Sequence, residues 1–95
     1  MNLQPLTTDT VSGTGSVTMQ GARATGTLGG VCISTDGTNA AVVEVRETNA
    51  SGKVLFKQST ITPQFNIGPI KSETRVLYYS VTGTGASVMI YEWVE

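Results

Sequence analysis

The ionisable and nucleophilic side chains of this 95-residue chain form no set typical of an active site. Histidine is absent, which removes the commonest general base and the imidazole ligands of metal sites. The single cysteine, Cys32, lies in an apolar run, so we expect a buried, inert thiol and no cysteine-based zinc site. Glu44 and Glu47 fall on opposite faces of one predicted strand, whereas glycoside hydrolysis needs two acids about 5–10 Å apart across a cleft. We therefore predict no enzyme activity, no cofactor and no metal site.

An acidic loop and three glycine-rich stretches have alternative interpretations. Asp36, Thr38 and Asn39 could offer oxygen atoms to calcium, but one carboxylate is far short of the usual six to eight oxygen ligands. An Asx turn explains this loop better. Each glycine-rich stretch precedes β-branched sequence and not the helix N-terminus that a phosphate-binding loop requires. These glycines are expected to serve turns and bulges.

The composition indicates that strands position these residues. Threonine and valine are abundant, and both suit a pleated sheet better than a helix. Turn residues recur at the spacing of an all-β sandwich or barrel. The fold class is predicted to be all-β, a small antiparallel β-sandwich or jelly-roll-like barrel of about seven to eight strands. The predicted strands are Ser16–Gln20, Ala22–Leu28, Gly30–Ser34, Ala40–Glu47, Lys53–Thr60, Gln64–Ile67, Thr74–Thr82 and Ser87–Val94.

The turns and one strand register can be predicted in more detail. Asp-Gly at positions 36–37 is a strong hairpin signal, and the segments 49–52 and 83–85 supply two further turns. Proline at positions 63 and 69 favours a segment that crosses between sheets or runs along an edge. In the middle hairpin, Val43, Val45, Val54 and Phe56 share one buried face if Val45 faces Phe56 and Glu44 faces Lys57.

The last two strands are apolar on both faces, and we expect them to form a hairpin with one face left uncovered. Such a patch is typical of a protein–protein contact. The alternatives are a central strand pair buried on both sides by long loops and an aromatic platform for sugar stacking. The predicted interface residues are Leu77, Tyr79, Val81, Met89, Tyr91 and Trp93.

The first fifteen residues are rich in threonine and have no clear period, so we predict an extended arm at 1–15 and a β-sandwich domain at 16–95. The arm is too polar to supply much core, and we expect Leu3, Pro5 and Leu6 to bind a neighbouring subunit. The net charge of −1 provides no basic surface for nucleic acid or anionic lipid. No stretch approaches the about 20 apolar residues that span a bilayer.

Residues 28–93 resemble small all-β virion proteins of tailed bacteriophages, of the capsid-decoration, cement or head-fibre type. The segments that carry the resemblance are 31–46, 50–56 and 79–88, followed by the last aromatic strand. The resemblance implies a symmetric homo-oligomer, often a trimer, made in the host cytoplasm and mounted on the virion. We expect a capsid decoration protein that clamps the major capsid protein or another virion protein. The alternatives are a tail, baseplate or fibre-attachment component that contacts the host surface, and a carbohydrate-binding module.

Overall fold

The computed structural model describes residues 2–6, 10–20 and 26–94. Within these ranges the chain forms strands and no helix. The strands are β1 (Asn2–Pro5), β2 (Gly13–Thr18), β3 (Gly26–Ser34), β4 (Ala41–Glu47), β5 (Val54–Thr60), β6 (Gln64–Ser72), β7 (Val76–Thr82) and β8 (Ser87–Val94). The first part of the predicted strand Ala22–Leu28 lies outside the described residues, and so do positions 1 and 7–9 of the predicted arm.

The eight strands form two four-stranded antiparallel sheets. Sheet A has the order β1-β8-β3-β6, and sheet B has the order β2-β7-β4-β5. Among the described strands, only β4 and β5 are consecutive and pair with each other, and every other two consecutive strands lie in different sheets. The pairs β4–β5, β3–β6, β2–β7 and β1–β8 are nested inside one another, as in an eight-stranded jelly roll. The predicted all-β sandwich or jelly-roll-like fold is confirmed.

The core lies between the sheets and follows from strand alternation. In β4, Val43 and Val45 point between the sheets and are fully buried, whereas Val42 points outward and is 41% exposed. The same period of two buries Val88 and Ile90 in β8. The buried hydrophobic residues are Met19, Leu28, Val31, Ile33, Ala41, Val43, Val45, Leu77, Val81, Ala86, Val88 and Ile90.

The predicted register of the middle hairpin is confirmed. Val45 faces Phe56, and Glu44 faces Lys57 with 3.8 Å between Lys57 Nζ and Glu44 Oε2. A β-bulge follows Val45 and shifts the register, so Arg46 faces Val54. Val54 was expected to share the buried face, but the bulge leaves it 40% exposed.

Two predicted hairpins are wrong. The Asp36–Gly37 turn joins β3 of sheet A to β4 of sheet B, and the turn at 83–85 joins β7 of sheet B to β8 of sheet A. The last two strands therefore do not pair with each other. Leu77 and Val81 were expected on an uncovered face, but both point into the core, where they are 0% and 3% exposed.

The beginning of the chain also differs from the expectation. Residues 2–5 form strand β1, which pairs with β8 of the same domain, and the Leu6 N–H donates to the Ile90 carbonyl at 2.7 Å. Val11 and Val88 exchange two backbone hydrogen bonds. The described part of the predicted arm thus pairs with its own sheet, and its predicted contact with a neighbouring subunit stays a prediction.

Two further details concern sheet A. Strand β6, which contains Pro69, lies at the edge of sheet A, and an edge position is one of the two that the prolines at 63 and 69 led us to expect. The described end of the strand predicted at 22–28 and the whole strand predicted at 30–34 belong to one strand, β3, with a register shift between Leu28 and Gly30. A Cβ on Gly29 would lie 2.9 Å from the Glu92 carbonyl carbon, so this bulge brings two backbones unusually close.

Candidate interaction face

The outer side of sheet A carries a continuous set of apolar side chains, which we call the apolar face. Strand register places them in three neighbouring rows. Phe65, Cys32 and Met89 form the first row, Tyr91 lies between Pro5 and Gly30 in the second, and Leu3 faces Trp93 in the third. The apolar face therefore consists of Leu3, Pro5, Cys32, Phe65, Met89, Tyr91 and Trp93.

Alternation in β8 decides which of its residues reach this face. Val88, Ile90 and Glu92 are buried toward the core, whereas the residues between them are only partly buried. Because neighbouring side chains of a strand point to opposite faces, the partly buried set points outward. Phe65, an aromatic residue on edge strand β6, is 47% exposed.

The aromatic rings on this face touch across the sheet. The ring centroids of Phe65 and Tyr91 are 5.2 Å apart, with a tilt of 35° between the ring planes. Gly30 lies on the strand between them and has no side chain to separate the rings. The separation lies in the range in which aromatic pairs attract each other.

The third row adds a polar atom to the apolar face. The Trp93 indole Nε1 is buried and has no hydrogen-bond partner. A buried N–H without an acceptor is unfavourable by about 1–3 kcal/mol. Because this atom is itself buried, it is not available to a partner that docks on the apolar face.

The outer side of sheet B is more polar, although Val42 and Tyr78 also lie on it. Glu44 contacts both Arg46 and Lys57, and it faces Ser80 on β7. Alternate residues of β2 on this side are Thr14, Ser16 and Thr18, which are exposed. The outer side of sheet B thus carries more polar side chains than the outer side of sheet A, whereas both sheets contribute apolar side chains to the core.

The structure brings some of the predicted interface residues together and separates others. Met89, Tyr91 and Trp93 from the predicted hairpin join Leu3 and Pro5 from the predicted arm on one face. Leu6 and Tyr79 pack against the core instead, as do the buried residues Leu77 and Val81.

Two members of the apolar face were not predicted from the sequence. Phe65 lies in a strand whose partner is remote in sequence, and Cys32 was assigned to the interior because its neighbours are apolar. Alternation in Val31-Cys32-Ile33 would have placed Cys32 opposite its neighbours, and both neighbours are buried.

The acidic loop is an Asx turn, as expected. Asp36 Oδ1 accepts from the backbone N–H groups of Thr38 at 2.9 Å and Asn39 at 2.8 Å, and Oδ2 accepts from the Asn39 side-chain amide at 2.8 Å. Hydrogen bonds from the Asn39 backbone, the Asn39 side chain and the Thr38 backbone, in that order, lower the pKa of Asp36 from 3.8. Among the described residues, no three His, Cys, Asp or Glu side chains cluster as metal ligands would.

Comparison with known proteins assigns no family. No family model, no curated protein and no solved structure matches the chain. In the described ranges no helix has the length and apolar character needed to cross a membrane.

Proposed function

We propose that this protein is a structural component of a phage virion, and that it is a capsid decoration protein which clamps neighbouring capsid subunits. The observation that supports this proposal is the apolar face, which places seven apolar side chains on one side of a compact jelly roll. Pro5 and Phe65 are exposed and the other five side chains are partly buried, and apolar patches at a surface are typical of protein–protein contacts. The jelly roll is also a fold of viral capsid domains.

The chemistry of the apolar face favours a protein partner over a sugar. Tyr, Trp, Phe and Met are enriched where proteins meet, and charged residues are depleted there. None of the seven side chains is charged, and the hydrogen-bonding groups among them are the Tyr91 hydroxyl, the Trp93 indole and the Cys32 thiol. A carbohydrate site needs more polar groups around its aromatic rings to recognise sugar hydroxyls. Lectin domains share the jelly roll, so a carbohydrate-binding module remains the alternative with a different partner.

The proposal includes a homo-oligomer, with a trimer favoured, bound to the major capsid protein. A tail or baseplate location would use the same apolar face on a different partner. Truncating an aromatic residue at the centre of an interface commonly costs about 2 kcal/mol or more. A single substitution on the apolar face should therefore weaken docking by about thirty-fold or more.

The experiment compares two variants with similar exposure on opposite sheets. Phe65→Ser removes an apolar side chain that is 47% exposed on sheet A, and Val42→Ser removes one that is 41% exposed on sheet B. Each purified variant is added to particles of the encoding virus assembled without this protein. We expect wild type and Val42→Ser to bind the capsid and Phe65→Ser to bind poorly.

Cryo-electron microscopy of the decorated particles locates the bound copies. Density on the capsid lattice supports the decoration role, and density confined to the tail supports the alternative virion component. Equal binding by both variants would show that the apolar face does not dock. Absence of the protein from particles, together with binding to a glycan array, would replace the proposal with the carbohydrate-binding alternative.

A further inference from the structure

The edges of the two sheets differ in how well they are protected from pairing with another chain. Among the described strands, β1 and β6 are the edges of sheet A, and β2 and β5 are the edges of sheet B. Proteins protect exposed edges with short strands, proline, charged side chains or bulges. Strand β1 has four residues and ends at Pro5, β5 contains Lys57 and a bulge, and β6 contains Pro69, Lys71 and a register shift.

Strand β2 has none of these protective features. Its sequence contains no proline and no charged residue, and its six residues pair with β7 without a register shift. Thr14, Ser16 and Thr18 are exposed on the outer side of sheet B. The residues of β7 that face them are Ser80, Tyr78 and Val76. The β2 edge and the strand behind it are therefore uncharged on this side.

One hydrogen bond identifies the backbone groups that point away from β7. The Met19 N–H donates to the Arg75 carbonyl at 2.7 Å, which continues the β2–β7 register by one pair. In an antiparallel strand, the backbone groups of successive residues point to opposite sides. The odd-numbered residues of β2 therefore direct their N–H and C=O groups toward β7. The groups of Thr14, Ser16 and Thr18 point to the other side, where no described strand pairs with β2.

We propose that two copies of this chain associate through antiparallel pairing of their β2 strands, which joins the two B sheets into one. With Ser16 opposite Ser16 of the second copy, Thr14 of each copy faces Thr18 of the other. Each facing pair then exchanges two backbone hydrogen bonds, so every outward-pointing backbone group of the strand is used. Facing Thr and Ser side chains lie on the same side of the sheet, where such pairs are favourable and no like charges meet.

The strand is complementary to itself in this register and in no other. A shift by one residue would set Thr14 opposite Val17, whose side chain lies on the inner side of sheet B. A shift by two residues would set Thr14 or Thr18 opposite a residue outside the strand. Two-fold contacts of this kind use the same surface on both copies, so a second copy is the occupant that the β2 edge fits.

The contact is small and separate from the apolar face. A six-residue strand is about 20 Å long, and stable interfaces bury about 1,200–2,000 Å² in total, so we expect a weak dimer whose population rises with concentration. The contact lies on sheet B and needs no virion, so it goes beyond the proposed function and does not depend on it. It adds a two-fold contact to any oligomer that forms through the apolar face.

The test compares the same substitution on the two edges of sheet B. Ser16→Lys places two like charges directly opposite each other in the proposed register. Ser59→Lys makes the same change at an exposed serine of β5, the other edge strand. Sedimentation equilibrium over a range of concentrations measures self-association of the purified protein. We expect Ser59→Lys to associate as wild type does and Ser16→Lys to have a dissociation constant at least about ten-fold higher.

Amide hydrogen exchange of ¹⁵N-labelled wild type shows which strand forms the contact. The Gly15 and Val17 amides point toward β7 and should exchange slowly at every concentration, whereas the Ser16 amide should become protected only as the dimer forms. If Ser16→Lys does not fold, the exchange of the Ser16 amide decides the question by itself.

A third variant separates this contact from the apolar face. Phe65→Ser changes the apolar face and should leave self-association unchanged; loss of association in this variant would assign the contact to the apolar face and overturn the proposal. The proposal is also overturned if wild type is monomeric at NMR concentrations, if the Ser16 amide gains no protection, or if the two lysine variants associate equally.

Discussion

The close approach of two backbones at Gly29 makes a quantitative prediction. In Gly29→Ala the new Cβ would lie 2.5 Å from Leu3 Cδ1, 2.9 Å from the Glu92 carbonyl carbon and 3.0 Å from the Trp93 backbone nitrogen. The leucine methyl can rotate away, but the two backbone atoms belong to β8, which is paired with both β1 and β3. Strands β3 and β8 must therefore separate, or the bulge must change its shape.

Overpacking of this kind costs about 1–3 kcal/mol, and replacing glycine in a strand returns about 0.5–1 kcal/mol of conformational entropy. The difference between these ranges is about 0–2.5 kcal/mol, and we expect about 1–2 kcal/mol because two of the three close contacts are with backbone atoms that cannot rotate away. For a domain of this size each kcal/mol lowers the thermal midpoint by about 4–8 °C. We expect Gly29→Ala to melt about 4–16 °C below wild type.

The control is Gly68→Ala, in the neighbouring strand of the same sheet. Its Cβ meets no atom within 4 Å, so the entropic gain is not offset by a clash, and the midpoint should hold or rise. Melting is followed by circular dichroism and by the fluorescence of Trp93, the only tryptophan, which lies at the site of the clash. Equal midpoints for the two variants would refute the close approach.

Three further predictions concern other parts of the domain. Deleting residues 2–6 should lower the thermal midpoint by several degrees, because β1 pairs with β8 and Leu6 packs on the core. An unchanged midpoint would mean that this strand does not stabilise its own domain. A double-mutant cycle on Glu44 and Lys57 should give a coupling of less than about 1 kcal/mol, since Lys57 is largely exposed, and a larger coupling would contradict the 3.8 Å geometry. Carboxyl-carbon NMR should place the titration midpoint of Asp36 below 3.8. Because the pKa is lowered in the folded state, the Asp36 turn stabilises the fold above pH 3.8 and loses this effect as the pH falls through the lowered pKa. A midpoint at or above 3.8 would argue against the Asx turn in solution.

Local sequence patterns were sufficient to locate most strands and one register. The β4–β5 pair could be aligned because its partners are close in sequence and only one alignment keeps Val45 and Phe56 on the same side. The bulge beside Leu55 was not predictable, because an extra residue leaves no mark on composition.

Strand pairing over longer distances could not be predicted. Asp36–Gly37 has the residues of a hairpin turn, but the same residues also serve a corner between sheets, where Asp36 accepts hydrogen bonds from its own loop. For the same reason the apolar face was predicted as two separate surfaces. Leu3 and Trp93 lie near opposite ends of the chain, and no local pattern indicates that they face each other.

The nested pairing of strands has a consequence for how the domain folds. Strands β4 and β5 are joined by a short turn, whereas each successive pair outward closes a longer segment of chain, up to Asn2 opposite Val94. Loop closure becomes more costly in entropy as the loop lengthens, and domains dominated by remote contacts fold in milliseconds to seconds. If the β4–β5 hairpin forms first, each closed pair shortens the free chain that the next pair must enclose. The register set by Val45 and Phe56 would then guide the whole domain, and errors there would slow folding more than errors in β1.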